Sequence, residues 1–494
     1  MNAEHPSSDG TARPYALSRR AVVGSTVWAI PAIVLVTSSP AMAASGTKIT
    51  VRSSKRQVVA KGDSATITAT VTDNGDTPRS GAAVSFTGSS GTDYSPTSAT
   101  TNGNGEASST LSTTDQWLRP GSTVTATATS DGQSASVPLS VIGANAYAVG
   151  NNLSGKLGTG TSGNTSTPTQ LSLVFASPIK ALASGNSFSF ALLEDGSVWS
   201  VGRNSQGQLG DGTTTNRTTW AKILSDVTQI AALSTGGYAL MNDGTVRSWG
   251  GNNNGQLGNG TTTNSATPVT VQGLSDVKQV AGGVTWGAAL LSNGQVRTWG
   301  SNTSGQLGDG TTTNRTTPVA VQGLSGVTQI ATGNGSGYAV LSNKTVRAWG
   351  LNGDGQLGDG TTTNRSTPVT VQNLSNVTQI AAGGTSAYAL LGDKTVRAWG
   401  DNAYGQLGNG TTADSASPVA VSGLSNVSQI AGTYYSAYAL GSNGPRAWGY
   451  NNNGQLGDGT TTNRSTPVAV QNVSGIVALG NAASSLADDM FFIR

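Results

Sequence analysis

The chain has 494 residues and a net charge of +3, and only 10% of its residues are charged. Cysteine is absent and His5 is the only histidine, which excludes zinc fingers, disulfide frameworks, thiol nucleophiles and haem attachment. The length exceeds one ordinary core and points to several domains or a repeat array.

Residues 1–43 read as an export leader. Arg19 and Arg20 precede the apolar run Ala21–Val36, which is followed by Ala41-Met42-Ala43. A positive region, an apolar region and a small-x-small site predict cleavage between Ala43 and Ala44. The paired arginines predict the twin-arginine route. A retained anchor helix is the alternative, but the run contains Pro31 and is short for a span. Removal of this leader would leave no histidine, so neither a Ser-His-Asp triad nor a His-ligated metal could be built. Of the carboxylates beyond it only Glu106 and Glu194 are glutamate. No Lys/Arg run follows, so the concentrated basic face that a nucleic-acid partner needs is missing.

Residues 45–142 show an apolar period of two. Ala65, Ile67, Ala69 and Val71 alternate with threonines, and Val84 with Phe86 and Val124 with Ala126 and Ala128 repeat the pattern. Asp73-Asn74-Gly75-Asp76 and Asn102-Gly103-Asn104-Gly105 supply turns. Short alternating strands at this spacing predict a β-sandwich. The segment resembles the bacterial Ig-like domains of the invasin and intimin type, which implies a spacer or an adhesive module.

Residues 145–494 are repetitive. The tetrad Gly-x-Leu-Gly begins at Gly155, Gly207, Gly255, Gly305, Gly355, Gly405 and Gly454. A period near fifty with strand-like content means a propeller or an array. One unit reads as four strands, of which Thr395–Gly400 (A), Pro368–Val371 (B), Val377–Ala381 (C) and Ala387–Leu391 (D) are examples. The fold class expected is all-β: a seven-bladed β-propeller after an N-terminal Ig-like β-sandwich. Asp195-Gly196, Asp243-Gly244, Asn293-Gly294 and Asn443-Gly444 predict tight D–A hairpins. Each blade then straddles a repeat boundary. The lone first strand, Ala146–Val149, must pair with the lone last one, Met490–Ile493, which removes two free edges.

Residues found in every unit read as structure. The tetrad glycines suit turns with positive φ, and its leucine suits a buried plug. Asn204, Asn252 and Asn302 suit bonds to their own turns. Asp211, Asp309, Asp359 and Asp458 each have arginine six residues on (Arg217, Arg315, Arg365, Arg464), whereas Asn259, Asn409 and Thr159 do not. That covariation predicts local ion pairs, and a single carboxylate per loop does not make a calcium site. Arg247, Arg297, Arg347, Arg397 and Arg446 share a strand face with Trp249, Trp299, Trp349, Trp399 and Trp448, which predicts cation–π stacking between blades.

The pattern W-G-x-N-x-x-G-Q-L-G-[DN]-G-T resembles the regulator-of-chromosome-condensation repeat family in all seven units. Val149 and Val201 replace its tryptophan, and Lys156 its glutamine. The histidine this family often carries before strand D is replaced here by Phe188, Gly236, Trp286, Ser336, Ser386 and Ser436.

The residues that differ between units are the candidates for a site. The A–B and C–D loops leave one face of the disc and vary. They supply Phe188, Arg203, Trp286, Tyr404, Tyr434, Tyr435 and Tyr450, the residue types that dominate binding hot spots. The expectation is a secreted, non-catalytic, monomeric binding protein without cofactor or metal. Its partner would be an extracellular or cell-envelope protein rather than a glycan. Among exported relatives it resembles propeller-type β-lactamase inhibitor proteins, which implies inhibition of an extracellular enzyme. Nucleotide exchange or chromatin binding, as the family name implies, is the alternative, weakened by the leader and the low charge. A lyase or glycosidase would need paired carboxylates, and adhesion would use residues 45–142.

Overall fold

The computed structural model describes residues 46–54, 57–59, 64–89, 92–113, 123–142, 146–171, 175, 177–480 and 488–494. Arg19, Arg20 and the Ala43–Ala44 junction lie outside the described residues. Among the described residues every regular element is a strand.

The N-terminal part forms two sheets. One joins Thr47–Ser53, Ser64–Asp73, Glu106–Thr113 and Thr92–Ser95, and the other Gln57–Val59, Gln133–Ile142, Thr123–Ser130, Ala83–Gly88 and Ser98–Thr100. The period-two pattern puts Ile67, Ala69 and Val71 inward from the first sheet and Phe86, Val124 and Ala126 inward from the second, in a shared core. Both predicted turns form. The Asp73 carboxylate accepts from Gly75 N and Thr77 N, and the Asn102 side chain from Asn104 N and Glu106 N.

Between Ala146 and Ile493 the described residues build seven four-stranded sheets, arranged as in a β-propeller. Each has the order C-D-A-B. In one of them Val377–Ala382 pairs with Ser386–Leu391, that with Val396–Gly400, and that with Ser415–Ala420. Strand A of one unit therefore sits beside strand D of the unit before, as the Asx-Gly hairpins require. Gly196, Gly244, Gly294 and Gly444 take φ of 77°, 78°, 80° and 81°. In two of these turns a lysine fills the same place, with Lys344 at φ 62° and Lys394 at φ 68°. A side chain there costs about 1–2 kcal/mol, so Lys344→Gly and Lys394→Gly should each stabilise the chain by about 1 kcal/mol. Urea unfolding checks this; a loss of stability would mean that the lysine side chains hold these turns.

The ring closes through one composite sheet. Ala146–Gly150 lies between Thr165–Gln170 and Asp489–Ile493, with Ala478–Leu479 outside. Ala146 pairs with Ile493 and Val149 with Met490, which explains the apolar end of the chain.

Each tetrad leucine is buried, as expected. The asparagine before it is buried too and satisfies its own turn: Asn252 Oδ1 accepts from Leu257 N, and its Nδ2 donates to Thr261 O. The tryptophans join neighbouring sheets, but not by cation–π stacking. Trp399 Nε1 donates to Gln356 O of the preceding sheet, and its ring meets Tyr338 edge-on at 6.3 Å. Arg247, on the strand of Trp249, instead donates to Thr270 on the adjacent strand. Trp249 meets Phe190 and donates to Gln208 O.

A second inter-sheet device lies at the axis, where the C strands of successive sheets pack together. Gln279 Nε2 donates to Ile330 O at 2.8 Å while its Oε1 accepts from Ile330 N at 2.9 Å. Gln229, Gln329, Gln379 and Gln429 make the same two-point clamp onto Val280, Ile380, Ile430 and Leu479. Ala181 and Ala478 occupy the same strand position. The two junctions on either side of the strand Ile179–Ser184 therefore lack the clamp.

Candidate binding face

The A–B and C–D loops emerge at the same end of the sheets. The chain leaving strand A donates to the C–D loop beside it: Arg203 N to Ser187 O, Asp401 N to Thr385 O, and Tyr450 N to Tyr435 O. Loop variation is thus gathered on one face.

Four of the seven candidate residues meet there. Tyr404 and Tyr450 come from A–B loops of consecutive sheets, and Tyr434 and Tyr435 from the C–D loop between them. Ring centroids lie 4.9 Å apart for Tyr404–Tyr435, 4.9 Å for Tyr404–Tyr450 and 4.2 Å for Tyr434–Tyr435, all edge-on. All four rings are partly exposed. Tyr434 lies against Gly384 of the neighbouring sheet, where a Cβ would approach its ring to 2.5 Å. Burial, then Tyr434, Tyr404 and Asp401, push the Tyr435 hydroxyl well above the usual tyrosine range, so it stays protonated.

Acidic groups border the cluster. Asp401 accepts from Thr385 Oγ1 at 2.9 Å and from Ala403 N. Burial, Asp401 and Asp414 hold the Asp354 carboxyl above the usual carboxylate value. Neither Asp354 nor Asp401 was singled out from the sequence.

Phe188 and Trp286 correct the expectation. Both are completely buried. Each is the first residue of a D strand rather than a loop residue, and at that position the side chain turns towards the loop glycine of its own sheet. A Cβ on Gly185 would stand 2.2 Å from the Phe188 ring, and one on Gly283 2.1 Å from Trp286 Nε1. Trp286 Nε1 donates to Asn334 O of the next sheet. Arg203 is exposed, but it lies in a separate recess with Asn186, Ser205 and Gln206. The closing sheet separates it from the tyrosines.

The RCC1-like domain family matches residues 145–487 and also residues 68–385. The chain belongs to that family. No curated protein matches it. Among solved structures, human WBSCR16 is similar at 24% identity, covering 70% of this chain and 98% of its own, with a TM-score of 0.64. Prp20p of Saccharomyces cerevisiae is similar at 22% identity, covering 71% and 91%, with a TM-score of 0.61. Yeast RCC1 (Prp20) bound to Kap60 gives 21% identity, 71% and 89% coverage and a TM-score of 0.63. At these identities the likeness is one of fold.

Within this RCC1-like domain the four predicted ion pairs form, between Asp211 and Arg217, Asp309 and Arg315, Asp359 and Arg365, and Asp458 and Arg464. Burial raises each carboxyl, but hydrogen bonds from threonine, arginine and asparagine outweigh it and hold all four below the usual value. A depressed folded value contributes stability above the unfolded carboxylate pKa, and that stability is lost as pH falls through the folded one. Acid should therefore destabilise the RCC1-like domain below about pH 4. Asp359→Asn with Arg365→Ser, the pair found as Asn259 and Ser265, should reduce the slope. Urea midpoints at several pH values measure it; an unchanged slope would remove these pairs as its source.

Among the described residues no group of three His, Cys, Asp or Glu could hold a metal ion. Among them, too, no helix is long and apolar enough to cross a membrane.

Proposed function

We propose that this RCC1-like chain is a secreted, non-catalytic binding protein. In this reading Arg19 and Arg20 direct export, and cleavage between Ala43 and Ala44 releases it. Residues 45–142 are an Ig-like spacer, and 145–494 a seven-bladed propeller that binds an extracellular or cell-envelope protein. The tyrosine cluster carries the reading. Tyr404, Tyr434, Tyr435 and Tyr450 are rigid, amphipathic and partly exposed, on the face where the loops diverge. Such rings give contact area at low entropic cost and often dominate binding energy. That the yeast relative Prp20p was described with binding to Gsp1p and histones supports a macromolecular partner for the fold.

The test is capture from extracellular and envelope fractions with two baits, the wild-type chain and Tyr404→Ala/Tyr435→Ala/Tyr450→Ala, read by mass spectrometry. A captured protein whose affinity falls at least about 30-fold in the variant (2 kcal/mol or more) supports the reading. Equal capture by both baits would place the partner on another surface. If inhibition is the outcome, the captured protein is an enzyme whose turnover falls as the wild-type chain is added.

A further inference from the structure

Two departures from the repeat pattern occur in the same sheet, and they meet. Lys156 stands in the first tetrad, where the other units carry glutamine, as at Gln208 and Gln356. Asp489 opens the last D strand, where other units carry uncharged residues such as Ser336 and Ser436. The two are 333 residues apart, and Lys156 Nζ is in direct contact with Asp489 Oδ1. Lys156 is 1% exposed and Asp489 fully buried. The contact sits beside a junction that has no glutamine clamp, and Lys156 spans that junction by donating to Asn186 O at 3.2 Å.

As a permanent ion pair this is poorly provided for. Buried charges are tolerated when the remaining lone pairs and protons are satisfied. Asp489 Oδ2 has no hydrogen bond of good geometry, and the Ser184 hydroxyl nearby offers the carboxyl only a weak one. Burial holds the Asp489 carboxyl above its usual value, opposed by Lys156. The neighbouring Asp488 carboxyl is raised as well, again by burial first, and feels the Lys156 charge. Burial therefore favours the uncharged acid form of Asp489, the form that can lose its hydroxyl as water.

We propose that Lys156 and Asp489 condense to an intramolecular isopeptide bond that seals the ring. The Nζ lone pair attacks Asp489 Cγ and the C–N bond forms. The Cγ–OH bond breaks, and the departing hydroxyl takes a proton from Nζ and leaves as water. Starting from ammonium and carboxylate, the products are one amide and one water, with no oxidant, reductant or external proton required. The pair is held in contact by the first A–B loop and the last D strand, which supplies the proximity that an intermolecular condensation lacks. The product replaces two buried charges by a neutral amide whose N–H can keep the bond to Asn186 O. In a chain without cysteine, the link would serve as a disulfide does, tying the first A–B loop of the ring to its last strand.

Intact-mass measurement and tryptic mapping of the purified full chain test this. The expected mass lies one water molecule below that of the sequence from the observed N-terminus. Trypsin should fail to cut after Lys156, and a branched peptide should carry both Lys156 and Asp489. Lys156→Arg and Asp489→Ala should each show the full mass of their sequences. A wild-type chain at full mass, cut normally after Lys156, would overturn the proposal and leave an ordinary buried ion pair. The wild-type measurement decides the matter whether or not the variants fold.

Discussion

Asp489→Ser alone should be about 3–5 kcal/mol less stable than the double variant Asp489→Ser/Lys156→Gln. The single change leaves a buried ammonium that has lost its carboxylate contact and keeps the Asn186 carbonyl. The double change installs the residues that other units use at the same two places. In those units Gln356 Oε1 accepts from Asp354 N, and Ser336 Oγ donates to Leu351 O. The corresponding backbone groups of the closing sheet belong to Ser154 and Asn151 and are positioned to do the same. Neither variant can form an Asp489–Lys156 amide, so the comparison isolates the stranded charge. Urea unfolding of both proteins measures it. A double variant no more stable than the single one would mean that Lys156 reaches solvent when its partner is lost.

The architecture was readable because each repeat states its own constraints. Seven Gly-x-Leu-Gly tetrads fixed the unit, and Asx-Gly dipeptides placed the sheet boundary inside it. The covariation of Asp359 with Arg365 announces an ion pair in the sequence itself. The binding face was only half readable. Tyr434 and Tyr435 precede the first strand residue, Ser436, and remain in the loop. Phe188 and Trp286 are themselves the first strand residues and turn inward. One position along the chain separates a partly exposed aromatic from a buried one, and strand starts are the least sharply written feature of a sequence. That the position is otherwise filled by glycine, serine or aspartate was the available signal. The glutamine clamp was missed for another reason. A polar residue alternating with Ile380 or Ile430 looks like any solvent-facing strand residue. Only the ring brings it against a neighbour's backbone.

Trp399→Ala should cost about 3–5 kcal/mol, the range for truncating a large buried aromatic, whereas Arg397→Ala on the same strand should cost within about 0.5 kcal/mol. The indole is fully buried. It fills the space between two sheets, meets Tyr338 edge-on, and donates to Gln356 O. The Tyr338 hydroxyl donates to that same carbonyl at 2.8 Å, so the acceptor survives the truncation and the loss comes mainly from the cavity. Trp399→Phe should fall between, keeping the ring contact but losing the N–H. Because each sheet touches chiefly its neighbours, damage in a repeat array is local at first. Hydrogen exchange should therefore quicken earliest in Val346–Gly350 and Val396–Gly400, on the two sides of the cavity, and last in the sheets across the ring. Equal losses for Trp399→Ala and Arg397→Ala would restore the guanidinium as a partner in joining the sheets. A uniform rise in exchange would show that the closed ring unfolds as one unit, with the closing sheet transmitting the defect around it.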